Sequence, residues 1–130
     1  MSNQFKTNQY REMSIKTAGR GQILIMLYEG AILNVKKATV AMDKKDIQTK
    51  GTCIGKAHDI INELLNTLDF EVGGEIALEL ERLYNFLIQE LMQANLDNSK
   101  EKLQNASKIL ETLLGGWKTA VDLVNKEKTK

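Results

Sequence analysis

No proline occurs anywhere in the 130 residues. A proline inside a helix removes a backbone donor and clashes with the preceding turn, so its absence leaves long helices unobstructed. The apolar residues use that freedom. They recur at three- and four-residue steps through most of the chain, the period of one face of an α-helix. No stretch alternates with the period of two that a half-buried strand requires. The spacing therefore predicts an all-α fold.

From about Gly21 to Asp43 the stripe is Leu24, Leu27, Tyr28, Ala31, Val35, Ala38 and Met42. Lys44 and Lys45 form a short turn, and Asp46 is placed to cap a second helix running from about Ile47 to Leu68. The second stripe is Ile47, Ile54, Ala57, Ile61, Leu64 and Leu68, with Gly51 and Gly55 inside the helix. Asp69 to Gly74 reads as a turn, Gly73-Gly74 being the strongest breaker in the chain. The third helix carries Ile76, Leu80, Leu83, Leu87, Leu91 and Ala94 and ends near Asn95. Asn98 and Glu101 have the spacing of a capping box for a fourth helix. That helix carries Leu103, Ala106, Leu110, Leu113, Trp117, Ala120 and Val124, with an interruption expected at Gly115-Gly116. Short connections force antiparallel neighbours, so the expected architecture is an antiparallel up-down four-helix bundle. Residues 1–17 show no sustained period and read as a flexible N-terminal arm. Residues 18–126 form the bundle domain, and the lysine-rich 127–130 a frayed tail.

Composition narrows the function. The net charge of +1 supplies no global field for nucleic acid or an acidic membrane. Locally, Lys6, Arg11, Lys16 and Arg20 make the arm basic, while Glu75, Glu79, Glu81, Glu90 and Asp97 make one later stretch acidic. Cys53 is the only cysteine, which excludes an internal disulfide and suits a reducing compartment. The opening residues lack the apolar core of a signal peptide, and the longest apolar run, Ile23 to Tyr28, is far too short to span a membrane. Cytoplasmic localisation, without membrane insertion or nucleic-acid binding, is the expectation.

Chemistry is sparse. His58 is the only histidine, so no two-histidine mechanism is available, and Gly55 stands where a Glu-x-x-His iron ligand would be. A zinc site would have to combine Cys53, His58 and carboxylates at a spacing that matches no established pattern. Gly51 to Ala57 superficially resembles a phosphate loop, but three residues separate the glycines instead of four, and Ala57 follows the lysine instead of Ser or Thr. The alternative function is a histidine phosphotransfer domain using His58. That family places a lysine three residues on and a glycine four on; here those positions are Ile61 and Asn62. The carboxylates read as a solvated helix surface, and Trp117 as core. No cofactor, metal or catalytic residue is expected.

Apolar residues also lie outside the main stripes: Ile25 and Ile32 on the first helix, Cys53 and Ile60 on the second, and Val72, Phe86 and Ile88 on the third. Two readings of them stand. A helix can pack on two sides, or the extra residues can line a groove for another amphipathic helix.

Several segments, in order, resemble the FliS family of flagellin export chaperones. They are Leu27-Tyr28-Glu29-Gly30-Ala31-Ile32, Ala57-His58-Asp59-Ile60-Ile61-Asn62-Glu63-Leu64, Leu68-Asp69, Gly73-Gly74-Glu75-Ile76-Ala77, Leu83-Tyr84, Ala94-Asn95 and Trp117. The resemblance covers roughly residues 10 to 120, and Tyr10 corresponds to a tyrosine in the family's arm. One departure falls at the first helix. The family opens it with Thr-Ala-Ser-Pro, whereas this chain has Thr17-Ala18-Gly19-Arg20 and so lacks both the capping serine and the proline.

The resemblance implies a protein without catalytic activity that binds the C-terminal segment of flagellin, blocks premature polymerisation and presents its client to the export apparatus. It implies coupled folding and binding of a disordered client. Groove candidates are Ile54, Ala57, Ile60 and Ile61 of the second helix and Tyr84 and Ile88 of the third, with Tyr10 anchoring the arm. A monomer or weak homodimer is expected.

Overall fold

The computed structural model describes the backbone of residues 2–128 and the side chains of residues 19–127. Four helices follow one another: α1 (Ser2–Asp43), α2 (Ile47–Asn66), α3 (Phe70–Asp97) and α4 (Lys100–Lys128). Each packs on its neighbours in a ring, α1 against α2 and α4, and α3 against α2 and α4, so that α1 lies diagonally across from α3. With connections this short, consecutive helices run antiparallel, and the expected four-helix bundle is the architecture found.

The caps explain most of the boundaries. The Asp46 side chain accepts from the Thr49 amide at 3.1 Å and so starts α2 as expected. Asp69 accepts from the amides of Glu71 and Val72, both at 3.1 Å, and starts α3 four residues before Gly73, inside the segment expected to be a turn. The expected break survives as a kink at Gly74, whose φ of 51° and ψ of −123° suit glycine. The capping box at Asn98 is corrected. Asn98 is the left-handed C-cap of α3, at φ 53°, and Ser99 caps α4 by accepting from the Lys102 amide at 3.2 Å. Two further boundaries differ from expectation. Gly115-Gly116 does not interrupt α4, which runs through both glycines. Helical backbone also extends upstream of Gly21 to Ser2, broken only at Gly19 with φ 77° and ψ 173°. The break falls where this chain departs from the family's Thr-Ala-Ser-Pro opening, and glycine is the residue that tolerates it.

The core is the set of stripes expected from the periodicity. Tyr28, Ala31, Val35 and Ala38 of α1 are buried against Ile54, Ala57, Ile61 and Leu64 of α2. Leu87, Leu91 and Ala94 of α3 and Leu103, Ala106 and Leu110 of α4 complete it. Four stripe positions depart from expectation. Ile47 is 74% exposed at the end of the bundle holding the α1–α2 and α3–α4 turns. Ile76 of α3, at 66%, and Ala120 and Val124 of α4 are exposed at the opposite end. The second group lies past the Gly74 kink on α3 and toward the end of α4. At 1.5 Å per residue the 20 residues of α2 reach about 30 Å, against about 43 Å for the 29 of α4, so at this end α2 stops first.

Candidate functional site

At the end holding the α2–α3 turn, three helices and that turn surround an apolar hollow of about 190 Å³. Leu24 comes from α1, shortly after its break at Gly19, and Leu68 from the α2–α3 turn. Val72, Ile76, Leu80 and Tyr84 come from α3, and Trp117 from α4. A cavity of about 150 Å³ accepts a benzene-sized group, so this hollow can hold one large apolar side chain. Its rim stands open: Val72 is 86% exposed, Ile76 66%. A Cβ placed on Gly21 would meet Val121 at 2.5 Å, so α1, just after its break at Gly19, closes tightly on α4 here. A larger hollow, about 930 Å³, lies along the first half of α4, but Lys36, Thr39, Glu90, Gln104, Asn105 and Lys108 line it. We take the smaller one as the candidate site because its walls are mainly apolar.

Two polar aromatics, Tyr84 and Trp117, line the hollow, and both are tied to the buried Tyr28. The hydroxyls of Tyr28 and Tyr84 share a hydrogen bond between α1 and α3, the diagonal pair of the bundle. Trp117 Nε1 donates to the Tyr28 hydroxyl at 3.1 Å and so brings in α4. The two tyrosine rings lie 6.3 Å apart at 52°, within the range of favourable tilted aromatic pairs. Both tyrosines are buried, and burial raises the pKa of each phenol; for Tyr28 the bonds from Tyr84 and Trp117 partly offset that rise.

The groove candidates do not line one groove. Ile54, Ala57, Ile61 and Tyr84 are buried in the core, and the stripe they occupy is the packing stripe. Tyr84 alone among them reaches a cavity wall. Ile60 and Ile88 are half-buried at the core margin, and Ile60 stands 3.3 Å from the position a Gly30 Cβ would take, at the seam between α1 and α2. Tyr10 lies outside the residues whose side chains are described. The additional apolar residues divide between the two readings. Ile25, Ile32 and Cys53 are buried, whereas Val72 and Phe86 are exposed. Sequence reasoning missed the surface stripe Met26, Leu33 and Val40 on α1, which is 38–53% exposed. Its seven-residue spacing was the available signal.

His58 is about one-third exposed, and its Nδ1 lies 3.2 Å from the Asn62 amide and 3.7 Å from Asp59. Ile61, where a phosphotransfer domain places its lysine, is fully buried. Among the described residues no group of three or more His, Cys, Asp or Glu side chains could hold a metal ion, and no helix is long and apolar enough to cross a membrane.

Comparison of the sequence with known proteins points to one family. The family model described as flagellar protein FliS matches residues 1–124. The flagellar secretion chaperone FliSB of Pseudomonas aeruginosa is 36% identical over 113 residues, 84% of this chain and 90% of the relative. The flagellar secretion chaperone FliS of Salmonella typhimurium is 35% identical, covering 82% of this chain and 80% of the relative. The FliS of Campylobacter jejuni is 33% identical, covering 91% and 92%. The chain belongs to the FliS family, whose named relatives are flagellar secretion chaperones.

Proposed function

We propose that the protein is a cytoplasmic chaperone without catalytic activity that binds the C-terminal segment of flagellin, keeps it from polymerising and delivers it to the flagellar export apparatus. The observation that carries this reading is the uncovered apolar surface. The stripes that form the core continue past it to Ile76, Ala120 and Val124, and α1 adds Met26, Leu33 and Val40. A bundle has no need of apolar residues at those positions, whereas a client helix does. The client is disordered when free, and burying its apolar face on the chaperone offsets the entropy of ordering it. While bound, that face is unavailable to other subunits.

Within this reading the hollow floored by Tyr84 receives one client side chain, and Ile60 and Ile88 act as contacts along the bundle. Ile54, Ala57 and Ile61 support them from inside. Tyr10 anchors the N-terminal segment. No cofactor, metal or nucleotide takes part, and the empty chaperone is a monomer or weak homodimer.

Calorimetric titration with the last roughly 40–60 residues of flagellin, a length able to form two or three helices, tests the reading. The expected result is binding with a large negative heat-capacity change and a gain of helix. Ile60→Asp should weaken binding at least tenfold while helicity stays unchanged. A chain that ignores the peptide at high micromolar concentration ends the chaperone reading.

A further inference from the structure

We propose that Tyr28, Tyr84 and Trp117 act as a clamp that sets the opening of the apolar hollow between α3 and α4, and so position its walls for the client. The inference rests on the chaperone reading and adds to it which buried residues make the site competent.

The clamp is placed to do this. It ties together three helices, including the diagonal pair α1 and α3, which make no other close backbone approach among the described residues. Two of its members, Tyr84 and Trp117, are also walls of the hollow, so their hydroxyl and indole bonds fix where those walls stand. The Tyr28 hydroxyl is the hub, because it meets both partners. Removing it leaves the Trp117 N–H and the Tyr84 O–H without their partner beside an apolar cavity, where an unsatisfied polar group is costly. The indole then has reason to turn toward water, which lies in the direction of the open rim. The same bonds keep the floor from collapsing into the hollow when it is empty, since a phenol held by its hydroxyl cannot swing inward.

Trp117 is the only tryptophan, so its emission reports the hollow directly. Filling the hollow with a tryptophan-free flagellin C-terminal peptide should shift that emission to the blue. Binding seen by calorimetry with no shift would mean that the client sits elsewhere and would overturn the proposal.

The clamp itself is tested with Tyr28→Phe, and with Trp117→Phe as a second variant that removes one donor while keeping a ring, should the first lose helicity. Each should weaken peptide binding about tenfold with helicity preserved, the scale of one lost buried hydrogen bond. A purely structural role would lower stability and leave affinity alone, and that result overturns the clamp. Val72→Ser, on the exposed rim, separates the cases further. It should cost affinity about threefold in the unmodified chain and much less in the Tyr28→Phe background, because walls no longer held in place gain little from the rim. Additive losses would show that rim and clamp act independently, and would also overturn the proposal. Should the unmodified chain fail to bind the peptide, the chaperone reading falls. Should it bind while both clamp variants bind equally well, only the clamp falls.

Discussion

Among the described residues Lys50 is the only lysine that the fold buries, at 5% exposure. Its ammonium donates to the Asn95 carbonyl at 3.1 Å and to the side-chain oxygen of Asn98. Both acceptors sit at the C-terminus of α3, where carbonyls lack helical partners and the helix dipole favours a cation. The lysine stem fills apolar space while its head serves as a cap supplied by another helix. Replacing it with methionine keeps the stem and removes the donors. Lys50→Met should lower unfolding free energy by about 1–3 kcal/mol, the cost of leaving such acceptors unpaired. Urea denaturation followed by circular dichroism measures it, and an unchanged midpoint would show that the contact is incidental. The residue also shows a limit of pattern reading: Lys50 falls on the period of the apolar stripe, between Ile47 and Ile54, but its charge masks the position, and only the end of α3 reveals why a lysine is inside.

Glycine has opposite effects on different elements, depending on whether the helix needs its missing side chain. Gly74 sits at φ 51° and ψ −123°, where a Cβ is strained, and Gly21 lies so close to Val121 that a Cβ would meet it at 2.5 Å. Gly115 and Gly116 have ordinary helical backbone and open space around them. Gly74→Ala should therefore destabilise by about 1–3 kcal/mol. Gly116→Ala should stabilise by about 0.5–1 kcal/mol through higher helix propensity. Thermal unfolding of the two variants checks both signs, and destabilisation by Gly116→Ala would mean that α4 does bend there. The same elements mark how far the fold was legible. The helix count, the ring of stripes and the Asp46 cap follow from spacing and local hydrogen bonding, which are written in the sequence. Asn98 and Ser99 are adjacent polar residues, and which one caps α4 depends on how α3 ends. Tyr84 and Ile88 are four residues apart on one face, yet one is inside and the other at the margin. That difference lies in where neighbouring helices sit, which periodicity does not encode. The exposure of Ile76 and Val124 depends on where the neighbouring helices end, a relation between elements that no single stripe contains.

At the scale of the whole molecule, the tyrosine pair couples cooperative stability to alkaline pH. Tyr28 and Tyr84 occupy the middle of the ring, so ionising either places a phenolate where three helices meet. Burial is the largest cause of the rise from the ordinary value of 10.0 in both, and hydrogen bonding to Tyr28 raises Tyr84 further. In the unfolded chain both phenols lose their protons near the ordinary value, while the folded chain keeps them to higher pH. Above that value the folded state binds more protons than the unfolded, and the stability falls as pH rises. Below it both states are protonated, and the contribution is fully present. Lysine deprotonation in the same range changes the net charge, so the slope needs a reference. A Tyr28→Phe, Tyr84→Phe double variant supplies it, because it keeps every lysine and removes both buried phenols. Between about pH 8 and about pH 11 the urea midpoint of the unmodified chain should drop steeply, while that of the double variant, lower at the start, should decline far less. Parallel declines would assign the alkaline loss to the lysines. They would also mean that the buried hydroxyl pair leaves no trace in the global unfolding equilibrium, contrary to its position at the junction of α1, α3 and α4.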